Sequence, residues 1–183
     1  FATILNTLGE LGYWVEWQIL NSKDFGAPQN RERVFIVGHF GGEPRRKVFP
    51  ITRSSGQALT ELTQGLADAY RVYDKGLGNR GARTGVLELF EERADEGMRF
   101  FKDGICGTLR AMDSGGDKRV IDTAHDGVRI RRLTPLECFR LQGFPDEFFY
   151  RAKAVGVSDS QLYKQAGNAV TVTVVYEIAK RLG

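Results

Sequence analysis

Apolar residues Phe1, Ile4, Leu5, Leu8 and Leu11 recur at helical spacing and Gly12 follows as a stop, so residues 1–11 read as an amphipathic helix. The spacing then changes. Tyr13, Val15, Trp17 and Ile19 alternate with polar or differently directed neighbours, which predicts a strand carrying them on one face. The turn formers of "NSKDFGAPQN" interrupt it, and Arg33 to Phe40 reads as a second strand with apolar residues on both faces. Helix, strand, loop and buried strand in this order predict the edge of an α/β sheet.

From Gly41 to about Gly127 the pattern weakens into a loop-rich lobe, with a helix expected over Gln57–Tyr70 and a weaker one over Val86–Arg93. Periodicity returns in "RIRRLTPLECFRLQGFPDEF". Thr134, Pro135 and Glu137 occupy the N-cap, N1 and N3 positions of a capping box; Leu136, Phe139 and Leu141 form the apolar side, and Gly143 with Pro145 ends the helix. Ser158 reads as the cap of a final segment that breaks at Gly167 and Asn168. Its β-branched residues favour a strand, whereas Val170, Val174, Ile178 and Leu182 sit at helical spacing; Lys180 and Arg181 suit the negative end of a helix and favour the helical reading.

Composition narrows the class without naming it. A chain of 183 residues can bury a core without staples. Its two cysteines cannot build a disulfide framework, and no apolar run approaches membrane-spanning length; a reducing cytoplasm is the expected setting. A net charge of +3 permits nucleic-acid binding without arguing for it. The first residue is Phe1, inside a patterned helix, which reads as a fragment or processed product.

Candidate chemistry starts at "APQNRERVFIVG". In an extended chain Gln29, Arg31 and Arg33 point the same way, and their donors can clamp a phosphate or the polar edge of a base. A solvated loop with an arginine paired to Glu32 is the competing reading. Cys138, among apolar positions of the capped helix, reads as a packed core thiol, and Cys106 as structural. His39 and His125 lack neighbours at metal-ligand spacing, and Asp113, Asp117, Asp122 and Asp126 read as solvated turns. "GTLRAMDSGGDKRV" is a glycine-punctuated loop with Arg110, Lys118 and Arg119; it can approach a nucleic-acid groove or remain a mobile hairpin. "GVRIRRL" adds Arg129, Arg131 and Arg132.

Taken in order, these stretches resemble the carboxy-terminal part of the DNA cytosine-5 methyltransferases. "PQNRERVFIVG" is similar to the family's eighth conserved block, "RRLTPLECFRLQGFPD" to the ninth and "QLYKQAGNAVTVTVVYEIAKRL" to the tenth. Thr108 and Leu109 in "GTLRA" look like the Thr-Leu pair of the variable target-recognition region between the eighth and ninth blocks.

The resemblance implies a fold class of α/β with an α+β small lobe: part of an S-adenosylmethionine-dependent methyltransferase sheet plus a target-recognition domain. Residues 1–40 would belong to the catalytic lobe, 41–157 to the target-recognition lobe with the ninth-block helix, and 158–183 to a helical segment returning to the catalytic lobe. Family members flip a cytosine out of duplex DNA, add a cysteine thiolate to C6 and methylate C5 from S-adenosylmethionine. Arg33 is then the candidate contact to the flipped cytosine or its phosphate, with Arg31 and Gln29 supporting the pocket. Asn168 and Ala169 would lie near the cofactor, and Thr108, Leu109, Arg110, Lys118 and Arg119 would face double-stranded DNA. The family's glycine block, Pro-Cys nucleophile and Glu-Asn-Val block precede the eighth block and are not in these residues. The resemblance therefore implies a partner, the upstream catalytic half of the same or another polypeptide, and an inactive isolated chain. A non-catalytic DNA-recognition module or subunit is the alternative.

Overall fold

A computed structural model describes residues 1–44, 46–52, 88–93, 97–100, 105–109, 118–125 and 127–182. The elements are α1 (Ala2–Glu10), β1 (Tyr13–Asn21), a 3-10 turn (Ser22–Phe25), β2 (Gln29–Asn30), β3 (Glu32–Phe40), β4 (Glu88–Arg93), β5 (Gly97–Phe100), β6 (Cys106–Gly107), β7 (Lys118–His125) and β8 (Gly127–Arg132). Four helices follow: α2 (Pro135–Leu141), α3 (Asp146–Ala154), α4 (Asp159–Asn168) and α5 (Val172–Leu182). No helix among the described residues is long and apolar enough to cross a membrane.

The two predicted strands pair antiparallel, with Trp17 opposite Ile36 and Ile19 opposite Val34. One face of the pair carries Leu20, Phe35 and Val37 into a core with Phe25, Val48, Phe49, Ile51, Val174 and Ile178. Side chains of β1 pin the 48–51 segment there. Glu16 accepts from the backbone N–H of Val48 and Phe49, at 2.9 Å each, and Gln18 exchanges two hydrogen bonds with the backbone of Ile51. Burial pulls the Glu16 carboxyl upward, but those amides and His39, 2.7 Å away, outweigh it and leave its pKa below the ordinary value. His39 thus serves a structural carboxylate.

The other face differs from the expected buried strand. Trp17, Ile19, Val34, Ile36 and Phe40 are exposed, Phe40 to 77%. Helix α1 lies on this side, where Phe1 meets the Trp17 ring edge-on at 4.9 Å, and α1 buries no residue of its own. The apolar stripe is present and lacks a covering layer within the described residues.

The region read as loop-rich contains a four-stranded antiparallel sheet in the order β5-β4-β7-β8. Residues 88–93, expected at the end of a weak helix, form β4, because both of its edges find partners, β5 and β7. Asp122, expected in a turn, lies in β7 at an irregularity of its pairing with β8. The expected helix over 57–70 and residues Arg110, Asp113, Asp117 and Asp126 lie outside the described residues.

The capping box forms as its spacing predicts: Thr134 Oγ1 accepts from Glu137 N–H, and Glu137 accepts from Thr134 N–H at 2.6 Å. Arg131 adds a two-pronged ion pair to Glu137, at 2.9 and 2.8 Å. Gly143, with φ of 78°, turns the chain after Gln142. Pro145 does more than stop α2, since it caps α3, a helix the pattern did not reveal. Arg140 and Asp146 clip the two helices together at 2.8 Å.

Ser158 caps α4 as expected, and the last segment is helical. The break falls slightly later than predicted, at residues 169–171. Leu162 and Ala166 of α4 pack with Leu133, Cys138, Phe139, Leu141 and Phe149 in a second core, while Val174 and Ile178 of α5 belong to the first. The segment over residues 158–182 therefore passes from one core to the other at the α4–α5 turn.

Candidate functional site

The eighth-block segment is shaped by Asn21 at the end of β1. Its Oδ1 accepts from Lys23 N–H at 3.2 Å, capping the 3-10 turn, and from Arg31 N–H at 3.1 Å. Gly26, with φ of 81°, reverses the chain, and Gln29–Asn30 then pairs in parallel with Cys106–Gly107. The extended run is thus interrupted at Arg31, between β2 and β3.

That interruption separates side chains that simple alternation puts together. Gln29 is fully enclosed, at 0% exposure, Arg31 is 6% exposed, and Arg33 is exposed with Nη1 folded back to Glu32 O at 2.6 Å. They form a graded series from core to surface and not one flat clamp.

Arg31 is the centre of the site. Its Nη1 donates to Leu109 O at 3.2 Å, and its Nη2 donates to Gly167 O and Ala169 O at 3.0 Å each. Burial, with a smaller contribution from the charge of Arg33, lowers its pKa from the ordinary guanidinium value. The oriented carbonyl dipoles supply hydrogen bonds to the buried cation, as a desolvated charge requires.

Gln29 has the opposite character. Neither amide atom has a hydrogen-bond partner among the described residues. An enclosed amide left in this state costs on the order of 1–3 kcal/mol per unsatisfied group.

The expected DNA-facing residues divide. Thr108 Oγ1 donates to Asn30 O at 2.9 Å and Leu109 is buried in the second core, so this pair ties the β6 segment to the β2 segment. Arg119 in β7 stands directly opposite Arg132 in β8, and Lys118 pairs by backbone with Glu91. Arg110 lies outside the described residues. Asn168 is exposed as the last residue of α4, and Ala169 is half-buried with its carbonyl on Arg31.

Both cysteines are buried. Burial, aided by the charge of Glu137, pushes the Cys138 thiol up to about 12, which disfavours the thiolate a nucleophile requires. Tyr163 is likewise pushed up to about 12, chiefly by burial, and donates to Leu133 O at 2.7 Å. Neither supplies a base near neutral pH.

Four residues around Arg31 escaped the sequence reading: Asn21, Ser22, Gln142 and Thr171. Ser22 Oγ and Thr171 Oγ1 are 2.7 Å apart, and Thr171 Oγ1 donates to Gln142 Oε1 at 3.0 Å. Their signal in the sequence is faint. Gln142 and Thr171 are polar residues inside otherwise apolar stretches, which predicts a buried bond without identifying its partner.

Comparison with known proteins places these segments in context. The model of the C-5 cytosine-specific DNA methylase family matches residues 1–183. The chain is 36% identical over 200 aligned positions to the type II methyltransferase M.Bsp6I of Bacillus sp. (strain RFL6), covering 100% of this chain and 59% of that protein. It is 33% identical to the type II methyltransferase M.SsoII of Shigella sonnei, covering 100% and 48%. The orphan methyltransferase M.SPRI of Bacillus phage SPR is 51% identical over 116 positions, covering 59% and 26%. Among solved structures, the Entamoeba histolytica methyltransferase EhMeth shares the fold with a TM-score of 0.57 at 17% identity, covering 100% of this chain and 57% of that one. The chain thus spans about half the length of the first two curated relatives.

Proposed function

The chain belongs to the C-5 cytosine-specific DNA methylases, and on that premise we propose that it supplies the C-terminal part of a restriction-modification DNA methyltransferase. The observation that carries this reading is the position of Arg31, which hydrogen-bonds to the recognition-lobe segment at Leu109 and the tenth-block turn at Gly167 and Ala169. Stretches far apart in sequence converge on one guanidinium.

In this reading Arg33 stands on the wall of the pocket for a flipped cytosine in double-stranded DNA, with Arg31 and Gln29 supporting that wall from the interior. Arg33, the exposed member, contacts the base or its phosphate. Thr108 and Leu109 fix the base of the recognition loop, while Arg110, Lys118 and Arg119 meet the duplex. S-adenosylmethionine supplies the electrophilic methyl group when bound. The exposed amide of Asn168 fits a polar contact to it, with Ala169 lining the turn beside it.

The nucleophile comes from a partner segment, the upstream catalytic half, because the Cys138 thiol is held protonated and Cys106 is enclosed. The open apolar face of β1 and β3 is where that half docks. The test combines the chain with such a half and follows labelled methyl transfer into duplex DNA. Arg33→Ala lowers transfer on the order of 100-fold while duplex affinity stays within a few fold. Unchanged transfer by Arg33→Ala contradicts its role.

A further inference from the structure

Helix α4 ends with carbonyls that have no partner further along the helix, and distant side chains take them up. Gln142, which closes α2, donates from Nε2 to Ala166 O at 2.9 Å, and Arg31 takes Gly167 O and Ala169 O. Gln142 is fully buried and acts at two further points: its Oε1 accepts from Thr171 Oγ1 at 3.0 Å, and its backbone carbonyl accepts from Val172 N–H at 2.9 Å. Ser22 Oγ, which also reaches Arg31 O at 3.3 Å, lies 2.7 Å from Thr171 Oγ1 and ties the two hydroxyls into one chain of hydrogen bonds. Gly143, left-handed at φ of 78°, completes the seat by turning the chain beside Val172 and Thr173.

The turn over residues 166–172 is therefore held at several points by polar side chains from the 3-10 turn (Ser22), the eighth-block segment (Arg31) and the end of α2 (Gln142). Apolar packing alone does not choose such a direction, whereas hydrogen bonds with fixed donors and acceptors do. We propose that Gln142 and Thr171 are positioning residues that set the path of the α4–α5 turn carrying Asn168. The consequence for methyl transfer rests on the function proposed above; the positioning itself does not.

Two substitutions at Thr171 separate shape from bonding. Thr171→Val keeps the volume and loses the hydroxyl, and Thr171→Ser keeps the hydroxyl. In the purified chain, amide hydrogen exchange at Ala169 and Val172 rises about tenfold in Thr171→Val, stays near wild type in Thr171→Ser, and is unchanged in the β1–β3 ladder. Gln142→Leu reproduces the Thr171→Val pattern; if it does not fold, the Thr171 pair decides alone. Wild-type exchange in Thr171→Val, or an increase spread equally over the whole chain, overturns the proposal.

A second arm probes the link to function. With the upstream half added, Thr171→Val raises the KM for S-adenosylmethionine more than it lowers kcat. Altered exchange without that KM change leaves the positioning role standing and counts against the cofactor-side assignment of the turn.

Discussion

The two cores of this chain differ in completeness. Around Leu162, the helices α2, α3 and α4 close on each other, and Leu133, Leu141 and Cys138 are almost wholly enclosed. Around β1 and β3 one face is packed against α5 and the 48–51 segment, yet Trp17, at 47% exposure, and Ile19, at 56%, lie open on the other. The apolar alternation of β1 lies on the open side, at Tyr13, Val15, Trp17 and Ile19, whereas the packed side includes Glu16 and Gln18. Patterning therefore reports where a layer is required, and only the structure reports whether the layer is present in this chain.

Substitutions can break or sharpen that contrast. The largest effect belongs to the closed core: Leu162→Ala lowers stability by about 2–5 kcal/mol, read from the denaturation midpoint, whereas Ile19→Ser on the open face changes it by less than about 0.5 kcal/mol. Equal losses would erase the distinction. Next, Arg31→Met removes the guanidinium from three carbonyls that join the two cores and costs about 3 kcal/mol; a negligible change in urea denaturation would mean that the cores are coupled elsewhere.

The packed face of β1 carries a pH signature. Because the folded-state pKa of Glu16 is lowered, its contribution to stability is complete above the ordinary value of 4.5 and is lost as pH falls through the folded value. Glu16→Gln flattens the acid limb of a stability–pH profile, and an unaltered limb would assign it to other carboxylates. The smallest effect is expected at Gln29. Replacing its unpartnered amide by leucine is neutral or stabilises the isolated chain by about 1 kcal/mol; a clear loss would mean that the amide is satisfied in solution.

What was legible in the sequence was local. The capping box at Thr134 and Glu137 depends on residues three apart, and the cap at Ser158 on the turn after it, so both appear as read. Helix α5 was recognisable from i, i+4 spacing once its terminal Lys180 and Arg181 were weighed. Strand β4 was misread as helix because its stability comes from β5 and β7, which a short window does not contain. The candidate site shows the same division. Its residue types were visible in "QNRER", but the partners of Arg31 lie 78, 136 and 138 positions away. Local alternation placed Gln29, Arg31 and Arg33 on one surface, and the β2–β6 pairing and the Asn21 bond to Arg31 graded them from core to surface.

The central claim is that the open face marks one half of a catalytic lobe whose pocket wall is built by this chain. Its most direct test measures transfer of labelled methyl groups from S-adenosylmethionine into duplex DNA by the purified chain, by an upstream catalytic half from the same family, and by the two mixed. The account predicts no transfer by either part and transfer to cytosine C5 by the mixture. Methylation by this chain alone, or a mixture of two folded parts that transfers nothing, would contradict it.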